Sequence, residues 1–123
     1  ISNNNKFMFI DWRQDFGGYL EYGDIYYDLS KLLHGIIVNH SIIAKNEYEV
    51  NWNKNELNYL LNKSPFQYEC EKVFYEWLNK EYFDIKKVNI ITGLIFLNIA
   101  TLHHYPYCLL LYGLGIEKLN DNV

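Results

Sequence analysis

Arginine is nearly absent from this sequence. Arg13 is the only one, and the formal charge is −4. Sequence-independent binding to nucleic acid needs clustered Lys and Arg to neutralise phosphates. The lysines here are scattered, as at Lys54, Lys63, Lys72 and Lys80, or paired as Lys86-Lys87. They read as solvated surface, and a nucleic-acid partner is disfavoured. Cysteine is scarce as well. Cys70 and Cys108 have neither CxxC nor zinc-type spacing, which reads as reduced, buried thiols of a cytosolic protein and not as a disulfide or a metal site. Seven glycines and two prolines in 123 residues, with half the chain apolar, exclude intrinsic disorder. No apolar run is long. The most apolar stretch, residues 88–102, is interrupted by Asn89, Asn98 and two threonines and is shorter than the ~20 residues a bilayer span needs. It is expected to be a buried core helix, with no membrane partner. The start Ile1-Ser2-Asn3-Asn4-Asn5 has no initiator Met and no signal-peptide layout, which suggests a fragment or a processed chain.

What the sequence has in quantity is aromatic surface: twelve Tyr, seven Phe and three Trp. Each buries a large area, so core packing is the first expectation for them, Trp52 and Trp77 included, although both are also candidate pocket walls. The length, residues 1–123, suits a single domain with one substantial core.

KFMFID, residues 6–11, is a short apolar run bounded by polar residues and reads as a strand. Residues 12–23 hold three of the seven glycines and read as a loop. Asp24 is placed to cap a helix in which Ile25, Leu29, Leu32, Leu33 and Ile36 fall at helical spacing, ending near Asn39. Tyr48, Val50 and Trp52 alternate with polar residues, predicting a short strand, a candidate hairpin arm with the preceding IIAKN. ELNYLLNK reads as one or two turns of ambiguous structure. Ser64-Pro65-Phe66-Gln67 combines a cap, a first-turn proline and a capping-box glutamine, and opens a helix to about Tyr82. Asp84 caps another, residues 85–103, apolar on most faces and therefore central. Pro106 starts the last, residues 107–119, where Leu109, Leu110, Gly113 and Leu114 are placed to pack closely on a neighbour. The fold class is mainly α (α+β), a helical body with a short β element near the N-terminus.

Carboxylates cluster early, as Asp11, Asp15, Glu21, Asp24 and Asp28. An EF-hand counted from Asp11 puts Arg13 and Tyr22 at liganding positions and Phe16 where glycine is required, so calcium is rejected. Magnesium in phosphoryl transfer is a second candidate, because it needs a carboxylate on a rigid mount, while for Asp11 taken alone a strand-terminal turn or cap is the plainer reading. Asp11 directly follows Phe9-Ile10 and is fixed by the strand. Asp15 opens the letters Asp-Phe-Gly, yet it follows Trp12-Arg13-Gln14, which has no strand character, and precedes a glycine pair that argues for a mobile loop. The histidines carry no site: His103-His104 point to different helix faces, and His34 and His40 are six residues apart, off one face.

Residues 10–35 contain Ile10-Asp11, then Gly23-Asp24, then Tyr27-Asp28-Leu29, and end in Ser30-Lys31-Leu32-Leu33-His34-Gly35. This order resembles the C-terminal lobe of the aminoglycoside phosphotransferase and choline kinase-like family, and especially bacterial members found with surface-polysaccharide genes. The likeness covers about residues 6–40. It implies a protein-kinase-like fold, cytoplasmic location, and a parent that moves the γ-phosphoryl group of ATP to a hydroxyl of a sugar, amino alcohol or related metabolite. It also implies that Asp11 holds Mg²⁺ on the nucleotide phosphates, that Asp24 caps the helix and that Asp28 is a structural carboxylate. The acceptor pocket would be shaped by residues 39–106. The family's catalytic loop, His-Gly-Asp-x-x-x-x-Asn, and its nucleotide-binding N-terminal lobe are not in these residues, so the catalytic groups are expected upstream and the chain alone is expected to be inactive. The rival expectation is a non-catalytic helical binding or assembly domain whose acidic loop only caps a helix.

Overall fold

A computed structural model describes residues 15–123. The expected strand at residues 6–11, and Asp11 with it, lie outside the described residues. The elements run α1 (Ile25–Ile37), α2 (His40–Ala44), β1 (Tyr48–Asn53), β2 (Glu56–Leu61), α3 (Pro65–Lys80), α4 (Ile85–Ala100) and α5 (Tyr107–Asn122). The described chain is therefore mainly helical with one small antiparallel sheet. No helix among the described residues is long and apolar enough to cross a membrane.

The helix starts follow from their caps. Asp24 accepts from the Tyr26 amide at 2.9 Å, and Asp84 accepts from the Lys87 amide at 3.0 Å. Ser64 and Gln67 form the full reciprocal box, 3.2 Å in one direction and 3.0 Å in the other. Each such cap satisfies amides that have no partner inside the helix and is worth about 1 kcal/mol. The buried face of α1 carries Leu29, Leu33 and Ile37, four residues apart, whereas Leu32 and Ile25 face solvent. At their C-terminal ends, α4 stops three residues earlier than its periodicity predicts and α5 runs three residues further.

The hairpin departs from expectation. IIAKN is not the partner of β1. Asn39 accepts from the Ile42 amide at 3.0 Å and turns that segment into α2, and Asn46, at φ 52°, ends it. The partner is ELNYLL, which forms β2 with register Val50↔Tyr59 and Trp52↔Leu57 across Lys54-Asn55. Leu57, Tyr59 and Leu61 alternate with exposed residues, the period-two pattern of a half-buried strand. A two-residue connection closes this pair at little entropic cost.

α4 is central, as its composition predicts. It runs parallel to α1: Tyr26 meets Asp84, Ser30 meets Val88, and His34 meets Phe96, in ascending order along both helices. The Ser30 hydroxyl lies 2.6 Å from the Tyr26 carbonyl and 3.1 Å from that of Val88, and Thr92 lies 2.7 Å from the Val88 carbonyl. These small hydroxyls are satisfied locally, so the helices close on each other without an orphaned polar group. Against α5 the order reverses, with Asn89 opposite Asn122, Gly93 opposite Leu119 and Leu97 opposite Gly115. A Cβ on Gly115 would stand 2.8 Å from Leu97 Cγ and 3.0 Å from the Gly93 carbonyl oxygen. The expectation of close packing around Gly113 also holds: a Cβ there would stand 2.7 Å from the Tyr59 ring.

Gly115→Ala is expected to destabilise the chain by about 1–3 kcal/mol through overpacking, despite alanine's better helix propensity. Gly35→Ala, on α1 with open space around it, is expected to stabilise by up to about 1 kcal/mol. Urea midpoints of the two variants measure this. A Gly115→Ala midpoint equal to that of the parent chain contradicts the close-approach account.

Candidate functional site

The carboxylates singled out in the sequence have distinct local settings. Asp15 accepts from the Gly18 amide at 3.1 Å. Phe16 and Tyr19 exchange backbone bonds of 2.9 and 3.0 Å around Gly17 and Gly18, at φ 58° and 87°. This is a two-residue turn that needs glycine at both central positions. The Asp15 loop is thus a hydrogen-bonded tight turn, and Asp15 has a structural use as its flanking acceptor. Asp24 is half-buried and committed to the α1 cap. Asp28 is exposed in the first turn of α1, where its charge suits the positive end of the helix dipole. Among the described residues, no group of three or more His, Cys, Asp or Glu is arranged to hold a metal ion.

A polar concavity lies elsewhere among the described residues. A cleft of about 480 Å³ opens between the exit of β2, the first turns of α3, the start of α4 and the end of α5. That volume is in the range of small-ligand sites. Ile37, Leu61 and Leu114 give it an apolar floor. On one wall Lys63 and Glu71 form an ion pair at 2.6 Å, with side chains only 13% and 21% exposed. The reading of Lys63 as a solvated surface cation is therefore corrected: Lys63 directly precedes the Ser64 cap of α3, eight residues before Glu71, and the pair neutralises itself in the cleft.

The opposite wall is a hydrogen-bonded network. Tyr75 donates its hydroxyl to Asn89 Oδ1 at 2.6 Å, and Lys118 Nζ donates to Tyr75 Oη at 2.8 Å and to Asn89 Oδ1 at 3.4 Å. Asn89 Nδ2 donates to Asn122 Oδ1 at 3.2 Å, and Asn122 Nδ2 donates to the Lys118 carbonyl at 2.8 Å. Asn89 is buried in the helix that is otherwise most apolar. Tyr59 also lines the cleft, and its buried hydroxyl has no hydrogen-bond partner among the described residues. Sequence reasoning singled out none of Glu71, Lys118 and Asn122. The available signal was Asn89 in mid-core, because a buried amide is stable only when its donors and acceptors are matched.

A second hollow, of about 470 Å³ and almost entirely apolar, is bounded by Trp52, Leu97, Ala100, Thr101, Cys108, Leu109 and Tyr112. Trp52 is 53% exposed and leans on Tyr112 at 6.3 Å, so its expected place in the core is corrected. It shares the inward face of β1 with Tyr48 and Val50, but it sits beside the turn, past the edge of the core. Trp77 is also exposed, stacked at 6.3 Å on Phe74 and tilted at 5.5 Å on Phe83. Cys70 and Cys108 are free and half-buried.

His103 and His104 are exposed in the turn after α4. His34 differs: half-buried, it lies 5.1 Å from the Phe96 ring, and its Nε2 is buried without a hydrogen-bond partner among the described residues. Burial first, then the charges of Lys31 and His103, hold its pKa below the ordinary 6.5. The unfolded chain thus binds a proton at His34 before the folded chain does, and stability falls as pH drops through and below about 6.5. His34→Phe, which keeps an aromatic ring on Phe96, is expected to flatten this fall in denaturation midpoints taken from neutral to mildly acidic pH. An equally steep fall in the variant contradicts the assignment.

Comparison of the chain with models of protein families, with curated proteins and with solved structures found no match.

Proposed function

We propose that this chain is the C-terminal, acceptor-binding part of an ATP-dependent small-molecule phosphotransferase with a protein-kinase-like fold. The acceptor is a hydroxyl of a sugar, amino alcohol or related metabolite. The single observation that carries the reading is the ordered series Ile10-Asp11, Gly23-Asp24 and Tyr27-Asp28-Leu29. Two features support it. Gly23-Asp24 is a loop-to-helix entry whose aspartate caps α1, and the helical body contains a polar cleft of metabolite size.

In this reading Asp11 holds the Mg²⁺ of MgATP, whose charge would stabilise the transferring phosphoryl group. Asp24 and Asp28 support the helix behind it. The catalytic base and the N-terminal lobe belong to the same protein outside these residues, and the described residues supply the walls of the acceptor site. A non-catalytic helical binding or assembly domain is the second reading. The exposed Trp52 and Tyr112 around the apolar hollow favour it.

The two separate in the parent protein. Asp11→Ala is expected to lower ATP-dependent phosphorylation of its acceptor by orders of magnitude, since a metal ligand is lost, and Asp15→Ala to lower it little. A coupled ATP-turnover assay on the purified variants reads both. The reverse ranking moves the metal to Asp15 and contradicts its assignment to Asp11. Robust turnover by the 123-residue chain alone contradicts the division of labour between the lobes.

A further inference from the structure

We infer that the polar cleft takes a small hydroxylated anion, a carboxylate or a phosphate ester, with Lys118 as the anchoring cation. The inference rests on the phosphotransferase reading only in treating the cleft as the acceptor side. Two lysines line it, and they are not equivalent. Lys63 is neutralised by Glu71 at 2.6 Å. Lys118, half-buried, forms no ion pair with any described carboxylate; its ammonium is held by neutral acceptors, Tyr75 Oη at 2.8 Å and Asn89 Oδ1 at 3.4 Å.

An ammonium has three donors and a full charge. Here two donors are engaged, and the charge has the Tyr75 ring at 5.5 Å but no carboxylate as counter-ion. The surrounding groups fix that arrangement. Asn122 takes the Asn89 amide hydrogen, so the Asn89 oxygen must face Tyr75 and Lys118. A half-buried cation without a counter-ion costs free energy, and an anionic ligand repays it with a charge-assisted hydrogen bond. Glu117 and Asp121 border the same cleft. They disfavour a bare anion and accept hydrogen bonds from hydroxyls, which restricts the ligand to a compound carrying both. An anion on Lys118 with hydroxyls on these carboxylates uses every charged group of the cleft that the protein leaves unpaired.

The test titrates the 123-residue chain, without nucleotide, with gluconate, glucose 6-phosphate, glucose and glucosamine, followed by amide NMR. At least one of the two anions is expected to shift the Asn89 and Lys118 resonances saturably, and roughly tenfold more tightly than glucose, the effect of one charge-assisted bond. Whichever anion binds better identifies carboxylate or phosphate as the source. Lys118→Met is expected to reduce anion binding to the level of glucose, and Lys72→Met, at an exposed site, to leave it unchanged. Added salt is expected to weaken anion binding to the unmutated chain, which keeps the inference testable if Lys118→Met does not fold. Glucose or glucosamine binding as tightly as the anions, no saturable shift with either anion, or anion binding insensitive to salt overturns it. Phosphoryl transfer by the parent to a neutral or cationic acceptor overturns this inference and leaves the phosphotransferase reading standing. Anion binding without any transfer by the parent does the reverse.

Discussion

The close approach of α4 and α5 is the constraint on which the rest of the described structure depends. Gly93 and Gly115 bring the two backbones together, with the Gly93 position 3.1 Å from the Gly115 carbonyl oxygen once a Cβ is imagined there. Further along the same antiparallel pair, the approach sets Asn89 against Asn122 and within reach of Lys118. The glycines carry no chemistry. They set the distance at which the polar network can form, and the hairpin then closes the cleft by laying Tyr59 over Gly113.

That dependence explains why the polar wall is affordable in a helix as apolar as α4. An amide buried at a packed interface is costly when half-satisfied, and each heavy atom of the Asn89 side-chain amide has a partner. The core behind it is continuous, running from Leu33 and Leu78 through Val88 and Phe96 to Leu110 and Leu111, so the geometry of the cleft rests on packed side chains and not on a loop. The charge of Lys118 is the residue of this arrangement that packing does not answer.

Local chemistry was legible in the sequence and long-range assembly was not. Asp24, Ser64 with Gln67, and Asp84 announce helix starts because a cap is a contact between residues two or three apart. The glycine pair after Asp15 announces a turn, although its letters alone suggested mobility where hydrogen bonds close it. The partner of β1 was misjudged because IIAKN and ELNYLL are both apolar. Only the Asn39 cap, three residues before Ile42, distinguishes a helical turn from a strand. The cleft was invisible because Lys63 and Glu71, Asn89, and Lys118 with Asn122 come from three separated segments. Each is an ordinary surface or helix residue until the fold joins them. Asp11, which carries the phosphotransferase reading, stands on sequence resemblance and lies outside the described residues.

The most direct measurement of the central claim is the coding sequence immediately upstream of Ile1 in its native gene. The account predicts an open frame encoding His-Gly-Asp-x-x-x-x-Asn shortly before the strand that ends in Asp11, preceded by a nucleotide-binding lobe. An initiator codon directly before Ile1, with no such loop in frame, contradicts it.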